Sequence, residues 1–340
     1  MRIARIRKKL VFFTGFLIAC SLIAIYILGP SSQLIEIRDQ QLAAGRDFDN
    51  YKMKVVHTGP ARNDEQHLKI QPARRNIIIV SHGRSGSSLM GDIFNHHPSV
   101  FYMYEPLQAP ERVHRKLVGR NTSYGDLVKQ FLTGVFRCKF DHPQLLADIE
   151  GYYRKPDHPR ISQAIASPPL CPYRTTDPRW DPKLCYPMTS DTLGSACKDN
   201  YNLTAIKVLM GRIPDNSIET ILDTCNLLAD VDCKVVFLVR DPRAVIPSSR
   251  SIGFFKESKE TNALEATRKY SYWQCRQTED NLDFIRKLPD SLRDRIKLQR
   301  YEDLALNPLR ELSGLYEFAG LSVLENVRTW LNETTQMEWP

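Results

Sequence analysis

Several patterns that would assign this 340-residue chain to a familiar nucleotide or metal protein are missing from it. There is no Walker A loop, which needs glycine, four residues, glycine, then lysine with serine or threonine. The lysine and the metal-binding carboxylates of a nucleotide-dependent kinase are missing with it. The eight cysteines include no paired Cys-x-x-Cys spacing, which argues against a zinc site. No carboxylate cluster asks for any other metal. There is no internal repeat, so one supersecondary unit is not simply stacked along the chain. Acidic residues are also absent from the first 28 positions, where Arg2, Arg5, Arg7, Lys8 and Lys9 precede the uncharged run Leu10 to Leu28.

That run has the length of a bilayer span and exceeds the apolar core usual in a cleaved signal peptide. The basic flank is expected on the cytoplasmic side and everything after Leu28 on the lumenal side. Five of the +8 formal charges sit in the flank, leaving +3 for the remainder, so the high isoelectric point is mostly a topology signal. Nucleic acid is not an expected partner of such a chain. Residues 29 to 75 are polar, with no sustained period, as in a stem. The expected division is a cytoplasmic tail at 1–9, a transmembrane signal anchor at 10–28, a lumenal stem at 29–75 and one lumenal domain at 76–340.

Within that domain the stretch Asn76 to His97, NIIIVSHGRSGSSLMGDIFNHH, reads as buried strand, glycine-bearing loop and helix. Ile77 to Val80 suit an interior strand of a parallel sheet. Gly83 and Gly86 allow a tight turn. Ser87 or Ser88 is expected to cap a helix whose free amides and dipole converge on the loop, which makes a cradle for an oxyanion. Arg84 is the fixed charge inside it, able to fork onto a phosphate or sulfonate. A glycine-bearing turn with no ligand would show the same short pattern.

A second stretch, CKVVFLVRDPRAVIPSSRSIG from Cys233 to Gly253, supplies another buried strand with Arg240 at its carboxyl end, where open α/β sheets bind ligands. Asp241 and Pro242 are the expected N-cap and first helical residue. Arg240, Arg243, Ser248 and Arg250 form a donor cluster suited to a second phosphate. Pro247 is expected to kink this helix and displace Ser248.

The segments HGRSGSS, FNHHPSVFYMYEPL, KVVFLVRDPRAV and RYEDLALNPL, in this order, resemble the Golgi carbohydrate sulfotransferases that use 3′-phosphoadenosine 5′-phosphosulfate (PAPS). The resemblance is nearest to the group sulfating the 6-hydroxyl of galactose, N-acetylgalactosamine or N-acetylglucosamine, such as the chondroitin and keratan sulfate enzymes. It implies an α/β, P-loop-like parallel sheet with helices on both faces. It also implies PAPS as sulfonate donor, with Arg84, Ser85, Gly86, Ser87 and Ser88 on the 5′-phosphosulfate and Arg240 and Ser248 on the 3′-phosphate. Sulfuryl transfer needs no metal in principle. A glycan or glycosaminoglycan acceptor and the Golgi membrane are the implied partners, and the resemblance leaves room for a homodimer. Members of this family usually continue past the position of Pro340, so the domain reads as short at its carboxyl end.

Arg84, with the loop amides, is placed to stabilise charge on the leaving phosphate. For the acceptor hydroxyl the candidate base is Glu105 in YMYEPL, at a strand-to-loop junction, with His82, His96 and His97 as weaker candidates. Glu105 pairing with an arginine of the second stretch is the competing structural role. Two other functions fit a phosphate loop followed by arginines: a lumenal nucleotide-dependent kinase, and an inactive glycan-binding protein on the same fold.

Elsewhere, Ser123 to Phe136 and Asn262 to Leu288 read as helices, with Tyr270 and Trp273 in the second as packing residues. Thr204 to Leu209 and Ile296 to Gln299 read as strands, and Lys207 can face either cleft or solvent. Asn307 and Pro308 open a helix ended by Gly320. Lys155 to Pro187, with eight prolines plus Cys171 and Cys185, reads as a stapled insertion near the cleft. Seven cysteines follow Leu28, so disulfides with at least one cysteine outside them are expected in an oxidising lumen. Asn121, Asn202 and Asn332 begin glycosylation sequons.

Overall fold

The computed structural model describes residues 73–117, 123–155, 162–256 and 261–336. The Leu10–Leu28 run, nearly all of the stem and the sequon at Asn121 lie outside them. Among the described residues no helix is long and apolar enough to cross a membrane.

Five strands, β1 (Arg74–Ser81), β2 (Val100–Tyr104), β3 (Leu203–Leu209), β4 (Val231–Val239) and β5 (Ile296–Arg300), form one sheet in the order β2-β3-β1-β4-β5. Every pairing is parallel. Parallel neighbours need crossovers, and crossovers put helices on the faces. This is why Ile77, Ile78, Ile79 and Val80 are all within 2% of full burial without any polar alternation.

Twelve helices are described: α1 (Ser87–Asn95), α2 (Gln108–Lys116), α3 (Tyr124–Phe136), α4 (Pro143–Tyr153), α5 (Ser190–Asn200), α6 (Ile218–Asn226), α7 (Pro242–Ser251), α8 (Ala263–Lys287), α9 (Asp290–Arg293), α10 (Tyr301–Leu306), α11 (Pro308–Ala319) and α12 (Glu325–Gln336). Period-2 alternation along the strands splits the core in two. Ile78, Val80, Ile206, Val235 and Phe237 face α2 to α6. Ile77, Ile79, Ala205, Val236 and Leu238 face α1 and α10 to α12. The expected α/β sheet with helices on both faces is therefore present.

Local signals explain most boundaries. Ser123 accepts from the Asp126 amide to start α3, Asn262 caps α8 through the amides of Leu264 and Glu265, and Gly320 ends α11 in the left-handed region at φ 67°. Asp241 caps α7 with Pro242 in its first turn, as its sequence predicts. Pro247 does not dislodge Ser248. The helix continues to Ser251, because Pro247 lies on the exposed side of α7, where the carbonyl it leaves without an amide partner can meet water.

Three disulfides, Cys138–Cys197, Cys171–Cys185 and Cys225–Cys233, join six of the seven cysteines that come after Leu28. Cys275, on α8, takes part in none of these three. The Cys171–Cys185 bridge closes the proline-rich insertion as expected. Cys138–Cys197 ties the end of α3 to α5 across 59 residues, a loop length for which chain entropy gives about 4 kcal/mol. Replacing both cysteines by alanine should lower the unfolding free energy in urea by that order, and a loss below about 1 kcal/mol would show that the bridge adds little.

Candidate active site

β1 leads out to β2 on one side of the sheet and β3 leads across to β4 on the other, so a crevice opens at the carboxyl ends of β1 and β3. The loop leaving β1 enters it. Its backbone is left-handed at Arg84 (φ 68°) and again at Gly86 (φ 83°). Gly86 is the N-cap of α1 and no side chain caps the helix, which corrects the expectation that Ser87 or Ser88 would do so. Both serines are already helical, and the left-handed residue before them is a glycine without a side chain to offer. The first-turn amides of α1 thus stay available to an anion.

Two hydrogen bonds join this loop to the second motif. Arg84 Nε donates to Ser248 Oγ at 2.9 Å, and an Arg240 guanidinium nitrogen donates to the Arg84 carbonyl at 3.0 Å. The expected cofactor residues Arg84, Arg240 and Ser248 are therefore brought together, next to Ser85, Gly86, Ser87 and Ser88. Arg243 does not join them. It is held by the adjacent Asp241 at 2.5 Å.

Aromatic rings form the loop's cover. The Arg240 guanidinium lies 4.3 Å from the centroid of the Tyr301 ring. A Cβ on Gly86 would come within 2.1 Å of that same ring, and a Cβ on Gly83 within 2.1 Å of the Phe254 ring. Gly86 is required by both its left-handed backbone and this approach, whereas the Phe254 ring over Gly83 is half exposed and can swing aside. Glu302, next to Tyr301, accepts from the Asp241 amide at 2.9 Å, so RYEDLALNPL clamps the Arg84 loop and the Arg240 turn together.

Glu105 directly follows β2 and has a left-handed backbone (φ 47°). Its amide donates to the Lys207 carbonyl at 2.8 Å. Lys207 Nζ is paired with Glu105 Oε1, while Oε2 accepts from Arg212 at 2.6 Å and from Gln108 Nε2 at 2.8 Å. The carboxylate is therefore paired, but with Lys207 and Arg212 rather than with an arginine of the second motif. Lys207 faces neither cleft nor solvent: it is 1% exposed, enclosed against Glu105 and 4.2 Å from the Tyr104 ring centroid. Burial alone would raise the Glu105 carboxyl, yet Lys207, Arg212 and Gln108 outweigh it and hold it below its ordinary value.

The histidines separate clearly. His96 and His97 lie at the far end of α1 from the loop, His96 stacked on Trp330 and His97 edge-on to Tyr316. Neither is placed to serve an acceptor hydroxyl at the loop. His82, beside the loop, is buried edge-on against Trp273, and burial pushes it down to about 4. Tyr270 and Trp273, read from the sequence as core packing, instead cluster with Phe255 and His82 beside the loop. An open groove of about 710 Å3 lies between α2 and α4, lined in part by Arg112, Lys116, Tyr152 and Lys155. Gln108 connects it to Glu105, donating to both Glu105 and the Tyr152 hydroxyl. Among the described residues no cluster of three or more His, Cys, Asp or Glu is arranged to hold a metal ion.

Residues 74–339 match the model of the sulfotransferase domain, and the chain belongs to that family. It is 28% identical over 297 residues to carbohydrate sulfotransferase 3 of Mus musculus, covering 77% of this chain and 58% of that one. It is 28% identical over 293 residues to carbohydrate sulfotransferase 6 of Homo sapiens, covering 79% and 69%. Over 309 residues it is 28% identical to carbohydrate sulfotransferase 4 of Mus musculus, covering 83% and 73%. The chain thus spans a little over half the length of the first of these relatives.

Gly86→Ala should cost about 1–3 kcal/mol of stability, from the left-handed backbone and the collision with Tyr301. Gly151→Ala is the control. Gly151 sits within α4 with nothing within 4 Å of a built Cβ, and the change should stabilise by up to about 1 kcal/mol. Equal effects of the two substitutions in urea unfolding would contradict the account of the loop.

Proposed function

We propose that this chain moves a sulfonate group from PAPS to the 6-hydroxyl of a galactose, N-acetylgalactosamine or N-acetylglucosamine residue in a glycoprotein or proteoglycan glycan. The observation that carries this is the joining of two anion-binding motifs on one sheet, through Arg84 to Ser248 and Arg240 to the Arg84 carbonyl. A ligand with phosphates at both ends of a nucleoside fits such a pair. A ligand phosphorylated at only one end leaves half of it without use. The names of the relatives support a carbohydrate acceptor, and three disulfides support an oxidising compartment, in keeping with a type II protein of the Golgi membrane.

The donor set suits PAPS: helix amides without a side-chain cap, and two arginines whose hydrogen bonds here go to neutral oxygens. When bound, PAPS supplies the sulfonate and leaves as 3′,5′-adenosine bisphosphate. The loop amides and Arg84 bind the phosphosulfate end and draw negative charge toward the leaving phosphate. Arg240 and Ser248 bind the 3′-phosphate, and the Tyr301 ring supports the Arg240 guanidinium from 4.3 Å. Glu105 receives the proton of the acceptor hydroxyl. The groove between α2 and α4 is the acceptor's approach, since Gln108 links its Tyr152 wall to Glu105.

The test is competition binding. 3′,5′-Adenosine bisphosphate should bind at least about 10-fold more tightly than 5′-AMP, since a charge-assisted phosphate contact contributes about 1.5–3 kcal/mol. Arg240→Ala should remove most of that preference. Equal affinities in the parent protein would contradict the two-phosphate reading.

A further inference from the structure

The carboxylate taken as the base is held more firmly than a base usually is. Glu105 is 8% exposed and Lys207 1% exposed, and β3 grips Glu105 twice, through the Lys207 carbonyl and through Lys207 Nζ. The left-handed turn at Glu105 brings its side chain back across the neighbouring strand, where Lys207 stands opposite Tyr104 in the register. Arg212, three residues beyond β3, meets the other oxygen and is itself held by Glu111 at 3.0 Å. An ionised carboxylate has about four lone-pair sites. Among the described residues, Oε2 accepts from two donors, Arg212 and Gln108, and Oε1 from Lys207 alone. One acceptor direction remains on Oε1.

We propose that Lys207 and Arg212 are the positioning residues of this site, each fixing one oxygen of Glu105 so that Oε1 faces the acceptor hydroxyl as a carboxylate. This rests on the reading of Glu105 as the base. As the acceptor oxygen bonds to sulfur, the bond from sulfur to the phosphate oxygen breaks and its electron pair leaves with the nucleotide. The hydroxyl proton then passes to Oε1. With Lys207 and Arg212 both cationic, a protonated Glu105 is disfavoured and soon gives its proton up to solvent. A base weakened in this way suits a reaction in which proton removal trails bond breaking to the leaving group. Other titratable groups also face the pair. Tyr152 and Tyr153 of α4 are pushed up by burial and stay neutral. Asp92 of α1 faces Lys207, and Glu111 shares Arg212.

Two readouts test this. In the unloaded protein, carboxyl carbon NMR with labelled glutamate should show the Glu105 signal, identified by its loss in Glu105→Gln, titrating below the ordinary 4.5. In Lys207→Met it should move up by at least about one pH unit, since burial then acts with only one cation against it. Arg212→Gln, at a partly exposed side chain, should move it in the same direction by less, and this variant keeps the test open if Lys207→Met does not fold. The acid limb of the pH profile for kcat/KM should move with the NMR value, and kcat should fall about 10-fold or more while affinity for 3′,5′-adenosine bisphosphate stays within about 2-fold. An unmoved titration in both variants overturns the proposal. So does a shifted titration with kcat unchanged. A Glu105→Gln enzyme within a few-fold of the parent turnover removes the base reading and this proposal with it, but leaves the two-phosphate reading standing if the nucleotide preference persists.

Discussion

The parallel pairing of β1 with β3 on one side and β4 on the other is the constraint on which the rest depends. It sends three strand ends to one edge, so the loop after Ser81, the Lys207 to Arg212 segment and the Arg240 turn all open into one crevice. The parallel pairing of β2 with β3 adds Glu105 to the same edge. Residues that are more than a hundred positions apart in sequence therefore meet within hydrogen-bond distance. The buried isoleucine run of β1 fills both core faces at once, which keeps β1 at the centre of the sheet between β3 and β4.

Charge at that edge is sorted by what each arginine touches. Arg243 is taken up by Asp241, and Arg212 is shared between Glu105 and Glu111. Arg84 and Arg240 instead donate to a hydroxyl and a backbone carbonyl. Neutral partners orient a guanidinium without cancelling its charge, so Arg84 and Arg240 keep theirs for an anion while Arg212 and Arg243 are spent on carboxylates. Around Glu105 the balance is reversed, with a single carboxylate between two cations.

Much of the fold was readable from local pattern. The apolar runs located β1, β3 and β4, and the capping residues Ser123, Asn262, Asp241 and Gly320 marked helix ends. The strand-loop-helix units around Arg84 and Arg240 were readable as well, and their union follows from the topology. What escaped was set by tertiary contact. No local signal says that Lys207 turns toward Glu105, because a lysine in a buried strand carries no mark of the partner opposite it. Tyr301 and Phe254 were missed as covers of the loop because a ring's approach to a glycine is a matter of three-dimensional packing. Tyr270 and Trp273 misled for a related reason: helical spacing shows which face is apolar but not whether core or cleft lies against it. Ser87 and Ser88 are common capping residues, but the left-handed Gly86 before them moved the helix start.

The central claim, that this edge of the sheet holds a sulfonate donor next to a sugar hydroxyl, is tested most directly by transfer of label. The protein is given PAPS labelled in its sulfonate, with galactose-, N-acetylgalactosamine- and N-acetylglucosamine-terminated or polymeric acceptors. The account predicts labelled sugar sulfated at the 6-position, lost when Arg84 is replaced by alanine. Label that stays on PAPS or appears only as free sulfate with every acceptor, from protein shown to bind 3′,5′-adenosine bisphosphate, would contradict it.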